Sequence, residues 1–174
     1  IHECFQVVAP TTTTTAASET GTVDPGTAVF DSVTVAAVPP GAGTPTGSVE
    51  FFWCGPLGSA SGCNDSGTSL GSVALSGGMA DSSSISPSSV GWYCFAAYYT
   101  PDTSNFLASN STTAELECFQ VVAKTTVTTT SSETQSVDPA TAVNDTAIVD
   151  AIDSSSIPTG TVQFYICGPL ANAA

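Results

Sequence analysis

Positive charge is almost absent from this sequence. Fifteen acidic residues stand against a single lysine, Lys124, and no arginine, for a formal net charge of −14. Nucleic-acid binding draws most of its affinity from Lys and Arg on phosphates, so that role is excluded. Anionic membrane surfaces repel such a chain. Charged residues of both signs amount to only 9%, against roughly 25% in an average globular protein. The acids are scattered, which reads as a solvated, self-repelling surface and offers no paired carboxylates of the glycosidase kind. His2 is the only histidine, so a nucleophilic triad lacks a positioned base. CxxC and HxxxH spacings are missing, and with them the usual zinc sites. A Gly-rich phosphate loop between strand and helix is missing too. No apolar run approaches the ~20 residues of a membrane span. Neither a basic leader nor an initiator Met stands at Ile1, so the sequence reads as processed or as starting mid-protein.

Apolar residues are plentiful, at 41%, and Val, Ile, Phe and Tyr recur in short runs. Such a chain has enough apolar surface to fold. Six cysteines, at 4, 54, 63, 94, 118 and 167, in a Thr/Ser-rich background point to an oxidising, extracellular setting.

The sequence also repeats itself. ECFQVVAPTTTTTAASET begins at Glu3, and ECFQVVAKTTVTTTSSET begins 114 residues later at Glu117. The same spacing matches Val23-Asp24-Pro25 with Val137-Asp138-Pro139, and Asp31 with Asp145. After one deletion, Pro45-Thr46-Gly47 matches Pro158-Thr159-Gly160, and Cys54-Gly-Pro-Leu matches Cys167-Gly-Pro-Leu. Residues 1–8 therefore end one unit, 9–123 form a full unit, and 124–174 begin another.

Within the full unit the apolar period is two, the signature of strands. Val29, Val33, Val35 and Ala37 share one face, and the second copy keeps it as Val143, Ala147, Val149 and Ala151. The opposite face varies freely, Phe30 becoming Asn144 and Ala36 becoming Asp150, so the first face is the buried one. Further inward sets are Val49, Phe51 and Trp53, matched by Val162, Phe164 and Ile166; then Tyr93, Phe95, Ala97 and Tyr99; then Phe119 and Val121. Gly, Pro, Asn and Ser clusters separate these runs. About seven short strands in a unit of this size, with no helical periodicity, predict an all-β sandwich.

Two segments then carry a resemblance. PTGSVEF (45–51) and PTGTVQF (158–164) resemble the Pro-Thr-Gly-x-Val-x-Phe start of the third strand in bacterial immunoglobulin-like repeat domains. GWYCFAAYYTPDTSNFLAS (91–109) resembles their Gly-x-Tyr-x-x-x-Ala-x-Tyr-x-x-Asp-x-x-Asn-aromatic-x-x-Ser segment. The resemblance spans nearly the whole full unit and the start of the next. It implies immunoglobulin-like sandwiches in tandem, as in stalks and adhesins of microbial surfaces. The cysteines and the scarcity of lysine depart from common members.

In such a fold Cys54, Cys94 and Cys118 lie on neighbouring strands of one sheet and point away from the core. The expected bridges are Cys94–Cys118 between adjacent strands and Cys54–Cys63 closing the loop LGSASG. The other pairing considered is Cys54–Cys94 with Cys63–Cys118. By repeat logic the partners of Cys4 and Cys167 lie outside the sequence, so both are expected unpaired. Stabilised adhesin domains often carry a Lys–Asn isopeptide bond, which a full unit without lysine cannot form.

The same outward face carries Phe52, Trp92 and Tyr98, with Tyr165 matching Phe52 in the second copy. An apolar patch there implies contact with another chain or with sugar, unless the 55–75 loop folds over it. The Thr runs 11–15 and 125–130 read as exposed strands or as O-glycosylated segments. The short passage from one unit to the next predicts a stiff rod. Asn64, Asn110 and Asn144 stand in N-x-S/T sequons. Calcium is conceivable where Glu3 or Glu117 meets Asp102 at a junction, but no DxDxDG-like loop supports it, and neither metal nor cofactor is expected.

The expectation is a non-catalytic structural repeat of an extracellular stalk, fibre or filament. Its partners would be neighbouring repeats or copies of itself. The alternative is an adhesin module that binds glycan or a host protein through its aromatic face.

Overall fold

The computed structural model describes residues 3–112, 117–134, 136–152 and 157–168. His2 and the tail from residue 169 lie outside them. Contacts divide the chain into two units, residues 1–122 and 123–174. No described residue is helical, so no helix is long and apolar enough to cross a membrane.

The first unit contains β1 (Thr11–Ala17), β2 (Thr22–Val23), β3 (Asp31–Ala37), β4 (Gly47–Leu57), β5 (Thr68–Ala74), β6 (Met79–Asp81), β7 (Gly91–Pro101), β8 (Ser109–Ser111) and β9 (Cys118–Val121). One sheet has the order β1-β3-β6; the other has the order β2-β9-β7-β4-β5, with β8 on β7. All pairs are antiparallel except β2–β9, which is parallel. Val29 shares the inward face of β3 but stands outside the strand and bridges Ile85.

Side chains alternate across these strands, and one face of each sheet is apolar. Val33 and Val35 of β3 pack with Val49 and Phe51 of β4 and Ala97 and Tyr99 of β7. Ala17, Val23 and Val29 pack with Tyr93, Phe95, Phe119 and Val121, and Trp53 lies against them. These clusters draw on both sheets, so the sheets lie face to face. Tyr93 stacks on Trp53 and on Phe119, each with ring centroids 5.7 Å apart. The two core tyrosines keep their hydroxyls satisfied: Tyr93 donates to the Ser89 carbonyl at 3.0 Å, and Tyr99 to the Thr46 carbonyl at 2.7 Å.

That last bond fixes the Pro-Thr-Gly turn against β7. Gly47 there has φ +128°, and a Cβ would lie 2.3 Å from the Thr100 carbonyl oxygen, so only glycine fits. Gly160 repeats the same backbone at φ +133°.

The first Thr run is one-sided rather than wholly exposed. Thr12 and Thr14 face solvent, while Thr13 and Thr15 are buried. Their hydroxyls bond to β8, Thr13 to Ser109 at 2.7 Å and Thr15 to Ser111 at 2.8 Å. Threonine here supplies β-branched bulk together with a hydroxyl that finds a partner between the sheets.

In the second unit, β10 (Thr125–Ser131) pairs antiparallel with β11 (Asp145–Ala151). Thr129 lies opposite Ala147, the same register as Thr15 opposite Val33. Residues 157–168 form no strand. Phe164 is 52% exposed and Ile166 100%, at the positions of buried Phe51 and of Trp53, which packs on the core. A cleft of about 430 Å³ is lined by Val143, Phe164 and Ile166.

Matched substitutions test this difference. Phe51→Ala is expected to cost about 3–5 kcal/mol, the range for a buried Phe. Phe164→Ala is expected to change stability by less than about 0.5 kcal/mol, as at a surface position. Guanidinium unfolding of the two full-length variants measures both.

Candidate functional site

Three features of the first unit carry chemistry: a pair of disulfides, a covered aromatic face and a buried pair of acids. Cys94 lies opposite Cys54 on β4 and opposite Cys118 on β9. Strand alignment alone therefore left both pairings open. The bonds are Cys94–Cys118, with Cα atoms 4.0 Å apart, and Cys54–Cys63, with Cα atoms 5.5 Å apart. Gly67 passes beside the second bond. A Cβ on it would lie 2.8 Å from the Cys54 sulfur and 3.0 Å from the Cys63 sulfur. Cys4 and Cys167 are unbonded and exposed. The two bridges fit an oxidising compartment.

An open aromatic patch at Phe52, Trp92 and Tyr98 is not what the structure shows. Phe52 is buried, in a cluster with Cys63, Cys94, Ala96 and Cys118. Leu57, Trp92 and Tyr98 pack on that cluster and are half-buried. Phe52 and Tyr98 meet edge to face with centroids 5.7 Å apart. The Asp65 N–H donates to the Tyr98 hydroxyl at 3.2 Å, so the loop closed by Cys54–Cys63 lies over the face. The physical reason is plain: the bridge forces the loop back across apolar surface that would otherwise meet water. Tyr165, the fourth residue of the expected patch, is 81% exposed in the second unit. A depression of about 380 Å³ at the loop is lined by Cys54, Cys63, Asn64, Ser66 and Thr112 among others.

The sequons are all on the surface. Asn64 turns its side-chain oxygen to the Ser66 N–H at 2.9 Å. Asn110 is exposed on β8, and Asn144 is exposed beside β11.

The acids hold the feature that sequence reading missed. Asp31 is 0% exposed and Glu117 1%. The backbone N–H of Asp31 donates to the Ser82 hydroxyl at 2.9 Å, which pins the strand while the carboxyl turns inward. Ser111 receives the Thr15 hydroxyl at 2.8 Å and donates to Glu117 Oε1 at 3.3 Å. No hydrogen bond of good geometry reaches either carboxyl oxygen of Asp31 or Glu117 Oε2, although the Ser32 N–H lies near Asp31. Burial pushes Asp31 up to about 7; the Ser32 N–H offsets part of this, and the Asp81 charge adds to it. Burial pushes Glu117 up to about 8, raised further by the Asp31 charge and lowered a little by Ser111. Both acids lie in the core, while Asp102 sits on the surface and accepts the Thr46 hydroxyl at 2.6 Å. Glu117 is buried and Asp102 exposed, so the two do not make the junction at which calcium was conceivable. Among the described residues, no three His, Cys, Asp or Glu side chains gather into a metal-binding group.

The parity of the strands is the signal that was available. Asp31 falls on the same face as Val29 and Val33, and Glu117 on the same face as Phe119 and Val121.

Family models, curated proteins and solved structures return no match to this chain.

Two expectations follow from this geometry. Replacing Cys94 and Cys118 by Ser should cost about 3.5 kcal/mol, and replacing Cys54 and Cys63 about 2.7 kcal/mol, from loop closure alone. Urea unfolding gives both values, and fluorescence should report solvent reaching Trp92 only in the second variant. The acid pair sets the pH response. Carboxyls raised in the folded state contribute stability that is fully present below their unfolded values near pH 4, and it is lost as pH rises through the folded values. A fall in Tm between about pH 5 and 8, without added divalent cations, is expected from these two acids. Asp31→Asn should flatten that fall, as read by calorimetry across the range.

Proposed function

We propose that this chain is part of an extracellular array of immunoglobulin-like sandwich repeats that works as a stalk, fibre or filament without catalysis. The repeat carries the reading. Residues 3–8 and 117–122 are the same hexapeptide, ECFQVV. In the full unit it forms β9, with Phe119 and Val121 in the core. At the first copy Phe5 is 89% exposed. The strand orders, with β1, β3 and β6 facing β9, β7 and β4, suit an immunoglobulin-like topology.

Residues 124–174 are then the beginning of a further domain of the same type. Its apolar positions match buried ones in the first unit but lack strands like β7 and β9 above them. A continuation of the polypeptide is the favoured source of those strands; a neighbouring copy is the other. Cys4 pairs with a cysteine like Cys94 of a preceding repeat, and Cys167 pairs with one like Cys63. The adhesin reading has less support, because the 57–67 loop covers the aromatic face on which it depends.

Disulfide mapping of material taken from its native source, digested without reduction, tests the proposal. The expected result is Cys4 bonded within a Gly-x-Tyr-Cys-Phe-like peptide. Free thiols at both Cys4 and Cys167, together with specific retention of the chain on a glycan array, would favour the adhesin module.

A further inference from the structure

The chain enters the first unit along the loop that joins β7 to β8. Ala9 forms a parallel bridge with Phe106. Its N–H donates to the Asn105 carbonyl at 2.8 Å, and its carbonyl accepts the Leu107 N–H at 3.0 Å. The Pro10 carbonyl accepts the Val38 N–H at 2.8 Å, and the Thr11 hydroxyl donates to the Leu107 carbonyl at 2.8 Å. One contact reaches further back. Gln6 Nε2 donates to the carbonyl and to the hydroxyl oxygen of Ser104, each at 2.7 Å. The loop that receives it is itself anchored, because Asp102 holds the Thr46 hydroxyl at 2.6 Å and Tyr99 holds the Thr46 carbonyl at 2.7 Å.

Gln6 belongs to the hexapeptide ECFQVV, and its counterpart Gln120 lies in β9. Its neighbours Phe5 and Val7 are 89% and 77% exposed, at the positions of buried Phe119 and Val121. The contact with Ser104 therefore uses Gln6 and leaves both core positions free. Gln120 shows that a strand set in its own sheet can still offer this side chain: its N–H is spent on the Gly21 carbonyl at 2.9 Å, and the residue is only half-buried.

We infer that loop 102–107 of a repeat is the seat for the last strand of the repeat before it, so that consecutive domains meet through a glutamine–serine contact with no free linker between them. This rests on the array reading and adds to it the surface by which one repeat holds the next. Part of the entry contact recurs in the second unit, where the Ile152 N–H donates to the Lys124 carbonyl at 2.9 Å, the counterpart of Val38 and Pro10. The groups that make the seat are backbone and neutral amide or hydroxyl groups. That suits a partner of the same composition, since a chain of net charge −14 would be repelled by an acidic seat.

Nitrogen-15 relaxation of the full chain tests the seat. Backbone order parameters of Gln6 to Ala9 should equal those of β7, about 0.85. Gln6→Ala should bring residues 5–7 below about 0.6 while Ala9 stays ordered. Small-angle scattering from native-source arrays should fit a rigid rod. Disorder at Gln6 in the wild type, no loss of order in Gln6→Ala, or a flexible string of domains in arrays whose Cys4 is bonded, overturns the inference and leaves the array reading standing. A free thiol at Cys4 in native material is the separate failure of the array reading, and it removes the partner from the seat.

Discussion

Burial of one alternating face beneath the β7–β9 pair is the constraint on which the rest of this structure depends. Val29, Val33 and Val35 come from one side, Tyr93, Phe95 and Tyr99 from the other, and neither set is stable in water alone. Once the faces meet, the outer surface of β4 and β7 is a second problem. The Cys54–Cys63 loop solves it by covering Phe52, and Cys94–Cys118 ties β9 to β7 in the same sheet. The first unit thus has apolar material on both sides of one sheet, with both covalent ties on the outer side. Small domains with limited cores commonly rely on such ties.

The same sequence pattern without those partners gives a different object. β10 and β11 pair in the register of β1 and β3, so local pairing follows from the residues themselves. Phe164 and Ile166 nevertheless stay exposed. Pairing is local, whereas burial needs strands that are distant in sequence. The two units, taken together, separate what a strand pair can do from what a closed core requires.

Much of this was legible because the repeat shows which face of each strand is free to vary. Inward positions on β3, β4, β7 and β9 followed from period-two alternation alone. The aromatic face was legible only as two alternatives, open or covered by the 55–75 loop, because alternation gives a side of the sheet and does not say whether a loop returns over it. The Cys54–Cys63 bridge and the cover over Phe52 decide for the second. The acids were hidden by their chemistry: Asp31 and Glu117 sit on inward parity, but carboxylates are expected at the surface and were passed over. Thr13 and Thr15 were hidden in the same way, inside a run whose exposed members, Thr12 and Thr14, look identical to them.

Hydrogen–deuterium exchange of the full chain, resolved to peptides, tests the central claim most directly. Amides of 31–37 should be protected up to the global stability of the first unit, and amides of 145–151 should exchange by local opening of a two-stranded ladder. Equal protection of the two segments would contradict the account, since it would mean that the second unit closes a core without strands like β7 and β9.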